Sequence, residues 1–314
     1  MAWLHLRQAL SLSLLTGRDV AIPAGHILAS SFEARATFDD IAEVLERLCG
    51  SRPIVENGTV VFTPRPLKPG RYRIDTGPYS SAIEPVLLLM PALFHCDFRS
   101  VIECTGVTHS PLSYPTAFVK ETLLALLERL GFMGSLRLSR FGFHGSGGGA
   151  VEARIYPRES IRGAIPFGER AELVGARVIF SHVSRELAEM EKRMIADRLR
   201  LAEDRVSILE VVDADGCGNS LSAVLNLHGI AIVIFREIAI VDRTGRIIVS
   251  EKDVEEAIDA IADEALRAVD LGITDRLAGE LIPYCRIAGI DAPRPIGPLS
   301  SLSEEVCATM LEPD

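Results

Sequence analysis

The hydrophobic pattern in the first half of the chain contains two similar series of elements. Each series reads as an apolar helix, a short strand, a second helix closed by a glycine, and a hairpin. The first series is predicted at Leu4–Thr16, Val20–Ile22, Phe38–Cys49 and Ile54–Arg73. The second is predicted at Ser81–Phe94, Ser100–Glu103, Pro115–Leu130 and Ser135–Tyr156. The shared order predicts a repeated unit in which two helices cover one face of a sheet.

A different pattern begins near Phe180, where a charged amphipathic helix is followed by strand-like runs and a second helix. These elements are predicted at Ser184–Leu201, Val206–Val212, Ser220–Asn226, Ile230–Ile240, Arg246–Val249 and Val254–Val269. The pattern indicates a small α/β domain, residues 181–268, inserted into a large domain of residues 1–180 and 269–314. After the insert, Asp275–Ala288 is similar to the first helix of the repeat.

The composition limits the classes of protein to which this chain can belong. The 314 residues are 48% apolar and 24% charged, which is typical of a globular chain, and the net charge of −10 repels a nucleic-acid backbone at long range. The six cysteines are scattered without metal-ligand spacing, which favours free thiols in a reducing compartment. The longest apolar run, Pro85–Phe94, is interrupted by Pro91 and is too short to span a bilayer. We expect a soluble, cytoplasmic protein without a membrane segment.

Several stretches of the chain are similar to one known family. They are Leu6–Gly17, Ile74–Gly77, Leu87–Leu93, Gly106–Pro111 and Phe141–Gly149. In this order they resemble the RNA 3'-terminal phosphate cyclases. The last stretch is the most specific, because the family carries a Gly, two residues, a Pro, one residue and three glycines. Here Gly145 replaces the proline.

The resemblance implies an α/β (α+β) fold whose large domain has three βαβαββ-type repeats, each with a sheet and two helices, and an insert before the third. The same repeat builds the enolpyruvyl transferases, so the fold alone does not give the function. We expect the helices Leu4–Thr16, Ser81–Phe94 and Asp275–Ala288 to meet, with a cleft between the two domains.

The family's chemistry makes demands that this sequence does not meet. The family activates an RNA 3'-phosphate with ATP through a covalent histidine–AMP intermediate. Its histidine aligns with the region Ser300–Glu305, yet no histidine follows His228. A hydroxyl cannot replace the ring nitrogen, which is both a nucleophile and a good leaving group. Cys307 could supply a thiol, although an ordinary buried cysteine is the favoured interpretation.

Other family positions also differ. The phosphate-binding Arg-Ala-Gly-Arg becomes Pro23-Ala24-Gly25-His26, which removes two guanidinium groups. The family's Tyr-Leu-Ala-Asp-Gln becomes Arg276-Leu277-Ala278-Gly279-Glu280, which removes one carboxylate and replaces an amide by an acid. The family's acidic, glycine-rich loop before the first helix has no counterpart here. These changes predict a weakened nucleotide site.

Few residues remain as ligand-binding candidates, and none as a catalytic residue or metal ligand. The candidates are Arg7, His26, Gly147, Gly148, Gly149 and Glu280. All but Glu280 have a plain structural alternative: a helix-surface arginine, a loop histidine, or a tight turn that needs glycine. The acidic glycine-containing segment 213–218 also persists from the family. We expect Arg7, His26, Gly147 and Glu280 to line or border the cleft.

Three functions remain open. The first is a cyclase-like protein without cyclase activity or cofactor, which binds RNA or an RNA-processing protein as an assembly factor, as in ribosome biogenesis. The second is an active cyclase that uses ATP and Mg. The third is an enolpyruvyl-type transferase, which needs a basic cluster facing a cleft. The available basic residues, Arg65, Lys68, Arg71 and Arg73, lie in a proline-rich hairpin and favour solvated charges.

Overall fold

The structure is a computed structural model that describes residues 2–30, 32–111, 113–238 and 249–311. Within these ranges the chain forms three β-sheets and nine α-helices. The α/β class predicted from the sequence is therefore confirmed. No helix in the described ranges is long and apolar enough to cross a membrane.

The first unit has a three-stranded sheet. Its elements are α1 (Ala2–Thr16), β1 (Val20–Pro23), α2 (Gly25–Leu28), α3 (Phe32–Cys49), β2 (Ile54–Glu56) and β3 (Thr59–Phe62). The strand order is β1-β3-β2. The tight turn between β2 and β3 is Asn57-Gly58, and both residues have positive φ, at 51° and 77°. This is the turn that an Asn-Gly pair favours in a hairpin.

The second unit has a four-stranded sheet with the order β4-β5-β7-β6. Its elements are β4 (Arg71–Asp75), α4 (Glu84–Leu93), β5 (Ser100–Gly106), a π-helical segment (Phe118–Leu123) that continues into α5 (Leu124–Arg129), β6 (Gly134–Arg140) and β7 (Gly149–Ile155). The partial order β5-β7-β6 matches β1-β3-β2 of the first unit. The two series therefore share strand order as well as element order.

The predicted hairpin Ile54–Arg73 is wrong beyond Phe62, because β4 belongs to the second sheet and pairs parallel with β5. Three prolines lie between β3 and β4: Pro64, Pro66 and Pro69. Proline has no N–H to donate to a strand ladder, so this segment leaves the first sheet and carries the chain to the second.

The third sheet has the order β11-β10-β8-β9. Its unit comprises β8 (Glu172–Ser181), α6 (Arg185–Leu199), β9 (Val206–Glu210), β10 (Gly218–Leu227), β11 (Ile230–Ile238) and α7 (Glu251–Leu271). Strand β8, absent from the sequence interpretation, begins before residue 181, and the insert boundaries stay a prediction. The predicted run Arg246–Val249, apart from Val249, and the end of the run to Ile240 lie outside the described residues.

The C-terminal region is helical. Residues 269–311 contain the end of α7 followed by α8 (Asp275–Ala288) and α9 (Pro298–Leu311), and no strand. The bounds of α8 are those predicted. A sheet in a third repeat is not confirmed, because this region supplies helices only.

The three helices predicted to meet do so. α1 packs against α4 and α9, and α8 packs against α9. The Gln8 side chain in α1 donates a hydrogen bond of 2.8 Å to the Gly279 carbonyl in α8, and Ser303 in α9 donates one of 2.8 Å to Gln8. These buried polar bonds help to fix the register of the packed helices.

The unit of the third sheet packs against the second unit. The Thr122 hydroxyl donates to the Ala231 carbonyl at 2.7 Å and accepts from the Val233 N–H at 2.9 Å, both in β11. Arg177 in β8 makes a two-bond ion pair with Glu121, at 3.0 and 2.7 Å. The guanidinium carbon of Arg276, at the start of α8, lies 4.5 Å from the ring centroid of Phe235, near the end of β11. The end of β11 is therefore beside the start of α8, where the candidate site lies.

Candidate functional site

A cavity of about 200 Å³ opens where the N-terminal parts of α1, α4, α8 and α9 converge. Its walls also include α3 and the loops before α4 and before the π-helical segment. The lining residues are Trp3, Leu4, Arg7, Ala34, Thr37, Tyr79, Ser81, Glu84, Ser110, Pro111, Ser113, Tyr114, Arg276 and Leu299. Arg7, a residue selected from the sequence, therefore lines this cavity.

Arg7 is the buried cation of the cavity. Its side chain is about 4% exposed, and its Nε lies 3.3 Å from Oε2 of Glu84. Its Nη2 forms a second ion pair with Oε1 of Glu280 in α8. The predicted proximity of Arg7 and Glu280 is confirmed, although they are 273 residues apart in sequence.

Neutral donors surround the two carboxylates. The Trp3 indole N–H donates to Glu84 at 2.8 Å, and the Ser113 hydroxyl donates to Glu84 at 3.0 Å. The Tyr114 hydroxyl donates to Glu280 at 2.7 Å. Each carboxylate therefore has the cation plus at least one neutral donor, as a buried charge requires.

The pKa values of this cluster reflect burial and mutual charge. Burial raises the pKa of Glu280, while Arg7 and Tyr114 act to lower it. Burial works against the charge of Arg7, but the carboxylates of Glu280 and Glu84 raise its pKa overall. Burial and the Glu280 carboxylate raise the pKa of Tyr114 well above its ordinary value, so its phenol stays a donor. The cluster has two carboxyl groups for one guanidinium group, so Arg7 has no unmatched positive charge.

The helix N-termini at this cavity already have acceptors. Asp275 accepts hydrogen bonds from the backbone N–H groups of Leu299 and Ser300 in the first turn of α9, each at 2.9 Å. The Thr274 hydroxyl accepts from the Leu277 N–H at the start of α8, at 3.1 Å. An N-terminal N–H cluster that could hold a phosphate is thus occupied by the protein's own side chains.

His26 does not line the cavity. It lies in α2 and is exposed. The preceding residue, Gly25, packs against Gly58: a Cβ at Gly25 would lie 2.9 Å from the Gly58 Cα. The segment that replaces the family's arginines is therefore shaped by close packing against the hairpin turn, and a ligand-binding role for His26 stays a prediction.

Glycine is required in the glycine-rich stretch because neighbouring atoms leave no room for a Cβ. A Cβ at Gly147 would lie 2.8 Å from the Pro78 Cα, and one at Gly148 would lie 2.4 Å from Oδ2 of Asp215 in the insert. A Cβ at Gly149 would lie 2.7 Å from the Gly106 carbonyl oxygen. These contacts give Gly147, Gly148 and Gly149 a structural explanation, and an anion-binding role stays a prediction.

The stretch also adjoins the cavity rim. The Gly145 N–H donates to the Pro78 carbonyl at 3.0 Å, and the ring of His144 lies 6.0 Å from that of Tyr79, a lining residue. The glycine-rich stretch therefore borders the cavity indirectly, through residues 77–79.

The α9 helix occupies the region that aligns with the family's histidine. None of the described residues that line the cavity is a histidine. Cys307 is buried, and burial raises the pKa of its thiol to about 12, which disfavours a thiolate nucleophile. His109, in a family-like stretch, is also buried against Phe141 and Phe143, and burial lowers its pKa to about 4.

The basic hairpin residues do not face this cavity. Arg71 and Arg73 both pair with Glu103 on the exposed face of the second sheet. Within the described ranges, no group of three or more His, Cys, Asp or Glu side chains is placed to hold a metal ion.

Four residues of the site were not selected from the sequence: Trp3, Glu84, Ser113 and Tyr114. One signal was available for Glu84: it is a single acid at the start of an almost wholly apolar helix. A buried acid in such a helix needs a cation, and Arg7 provides it.

Comparisons with known proteins agree with the motifs. The family model for RNA 3'-terminal phosphate cyclase matches residues 4–299. An RNA 3'-terminal phosphate cyclase of Pseudomonas fluorescens is 34% identical over 223 residues, which cover 69% of this chain and 64% of that protein. One of Koribacter versatilis is 29% identical over 296 residues, covering 90% of this chain and 79% of that protein. This chain belongs to the RNA 3'-terminal phosphate cyclase family.

Proposed function

We propose that this chain is a family member without cyclase activity, which acts as a binding or assembly factor in RNA processing. The observation that carries the proposal is the state of Arg7. Its guanidinium is buried and paired with both Glu84 and Glu280. A cation engaged by two carboxylates has little capacity left for a phosphate.

The electrostatics of the cavity also disfavour a polyphosphate. Arg7 faces two carboxyl groups, and the N–H groups at the start of α9 are bonded to Asp275, so the remaining cation among the described lining residues is Arg276. One guanidinium group does not balance the charge of a triphosphate, so ATP binding would need a metal ion to offset it. Binding of a protein partner, or local binding of RNA through other surfaces, does not depend on the cations of this cavity.

The absence of a nucleophile supports the same proposal. The sequence has no histidine after His228. The family reaction needs an imidazole that attacks the α-phosphate of ATP and then leaves as AMP is transferred. The serines and glutamates of α9 cannot form a phosphoramidate.

The competing function is an active cyclase, which is favoured by one observation, that both relatives are RNA 3'-terminal phosphate cyclases. A direct test incubates RNA with a 3'-phosphate, ATP and Mg²⁺ with this protein, and with the Pseudomonas fluorescens protein as a control. We expect no terminal 2',3'-cyclic phosphate above the enzyme-free background. Cyclic product that scales with the amount of this protein would contradict the proposal.

Binding gives a second readout. Since two family arginines are replaced by Pro23 and His26, we expect single-stranded RNA ending in a 3'-phosphate to bind no better than the same RNA ending in a 3'-hydroxyl. Filter binding at physiological salt measures the ratio of the two dissociation constants. Clear preference for the phosphorylated end would mean that a terminal-phosphate site survives.

A further inference from the structure

A second cavity, of about 260 Å³, lies at the junction between the insert and the C-terminal helices. Its walls come from β11, α7, the start of α8 and the segment before α9. It shares Arg276 and Leu299 with the candidate site. The two cavities are therefore neighbours that share the Arg276 side chain.

Three arginines from three different elements line this junction cavity: Arg236 in β11, Arg267 in α7 and Arg276 in α8. Arg236 donates to Glu264 at 2.9 Å and to the Phe235 carbonyl at 2.7 Å. Within the described ranges, neither Arg267 nor Arg276 forms an ion pair with an acid. The junction cavity therefore has three guanidinium groups, of which one is paired with a carboxylate.

Arg276 is held in place by aromatic rings. Its guanidinium carbon lies 4.5 Å from the ring centroid of Phe235 and 5.8 Å from that of Tyr114. A guanidinium positioned over aromatic rings keeps N–H groups at its edge for hydrogen bonding. Arg276 is therefore a preorganised donor, and it needs no acid to hold its position.

The acids of the junction cavity do not balance these charges. Glu264 compensates Arg236. Both carboxylate oxygens of Asp275 accept N–H groups at the start of α9. Three guanidinium groups against two carboxylates leave a local charge of about +1, in a chain whose net charge is −10. The guanidinium fork matches the oxygen atoms of a tetrahedral oxyanion.

We propose that the junction cavity binds a phosphate oxyanion, with Arg236, Arg267 and Arg276 as its donors. The same chemical group is present in free inorganic phosphate and in the backbone of RNA. The proposed site shares Arg276 with the candidate site, but it does not require ATP chemistry, because Arg236 and Arg267 lie outside the candidate site.

The test titrates the full chain with inorganic phosphate by calorimetry, against sodium chloride at equal ionic strength. The main variant is Arg267→Gln, because this exposed side chain lacks an ion pair in the described ranges and its loss should leave folding intact. The matched control is Arg193→Gln, an exposed arginine on α6, the other helix of the insert. Arg276→Gln is a second test variant, and thermal unfolding of each variant checks that it is folded.

We expect Arg267→Gln and Arg276→Gln each to weaken phosphate binding by about tenfold, the effect of one charge-assisted hydrogen bond. Arg193→Gln should leave the dissociation constant within about twofold of the parent. The proposal is overturned if the parent binds phosphate no better than chloride, or if Arg193→Gln weakens binding as much as Arg267→Gln.

A competition experiment distinguishes an RNA backbone from free phosphate as the ligand of this cavity. An oligoribonucleotide with hydroxyl groups at both ends is added to the phosphate-loaded protein. Displacement of phosphate by the oligonucleotide, lost in Arg267→Gln, assigns the site to the RNA backbone. Phosphate binding that the oligonucleotide does not disturb assigns the site to free phosphate or a small phosphate ester. Either result supports the oxyanion site, and the separate ATP assay decides the proposed function.

Discussion

Two neighbouring cavities share Arg276, and their arginines differ in how their charge is balanced. In the candidate site, Arg7 is buried between the carboxylates of Glu84 and Glu280. In the junction cavity, Arg236, Arg267 and Arg276 share one carboxylate that is free to pair with them, that of Glu264. In the first cluster the guanidinium group is paired with carboxylates of the protein. In the second, two of the three guanidinium groups have no carboxylate partner among the described residues.

An arginine in a cleft is therefore evidence for a ligand only if carboxylates of the same protein do not already balance its charge. Arg7 is the cation that the family resemblance carries over, yet its partners make it a structural element between α1, α4 and α8. The arginines that can reach a ligand were not selected from the sequence as site residues. Three predictions on stability test how buried charges in this protein are balanced.

The largest expected effect is that of Arg7→Met, which leaves Glu84 and Glu280 buried without a cation. Breaking a buried charge cluster in this way costs about 3–5 kcal/mol of unfolding free energy. Urea denaturation at pH 7 measures the loss. The control is Arg71→Met, which removes an exposed arginine whose partner Glu103 keeps Arg73, and which should change stability little.

A double variant sharpens this result. Adding Glu280→Gln to Arg7→Met removes one of the two stranded carboxylates, so part of the lost stability should return, by about 1–2 kcal/mol. If Arg7→Met proves as mild as Arg71→Met, or if the second change adds to the loss, Arg7 is not the cation that balances this cluster.

A buried carboxylate without a cation provides the opposite case. Glu191 in α6 is fully buried, its Oε1 accepts from the Asn219 amide, and its Oε2 has no hydrogen-bond partner among the described residues. Burial raises its pKa to about 7, against a weaker lowering by Asn219. The folded state therefore binds a proton that the unfolded state, with a pKa of about 4.5, has released.

It follows that this contribution to stability is present at pH 4.5 and is lost as the pH rises to about 7. We expect Glu191→Gln to be more stable than the parent at pH 8, by on the order of 2 kcal/mol, and about equal at pH 5. Urea denaturation at the two pH values measures the difference, with Glu186→Gln, at an exposed position of α6, as the control. A Glu191→Gln variant with the parent's pH dependence would refute the assignment.

The smallest expected effect is that of Tyr114→Phe. The substitution removes the hydroxyl that donates to Glu280 at 2.7 Å while Arg7 still balances the carboxylate. We expect a loss of about 1–2 kcal/mol, as for a hydrogen bond to a charged group. Tyr79→Phe, at an exposed ring on the rim of the same cavity, serves as the control in the same denaturation experiment. Equal effects of the two substitutions would argue that the phenol does not support the cluster.

Much of the fold could be predicted because periodic patterns and glycine stops are local. The bounds of α8 and the end of α3 at Cys49 agree with the sequence interpretation. Strand β8 was missed, and β4 was assigned to the wrong sheet. Strand pairing depends on partners distant in sequence: β8 pairs with β10 and β9, and β4 pairs with β5 across α4.

The candidate site could be predicted only in part, for the same reason. Alignment to the family placed Arg7 near Glu280, because both belong to recognisable motifs. The contribution of Glu84 could not be read from its helix, since its partners Trp3, Arg7 and Ser113 come from two other segments. The balance of charge around an arginine is a property of the folded chain.

The most direct test of the central claim, that this family member has lost the covalent chemistry, is an adenylylation assay. The protein is incubated with ATP labelled at the α-phosphate and a divalent metal ion, and protein-bound label is measured after denaturing electrophoresis. The Pseudomonas fluorescens protein is the positive control. We expect no labelled band for this chain, because no histidine follows His228 and Arg7 is engaged by two carboxylates. A stable, acid-labile AMP adduct on this protein would contradict it.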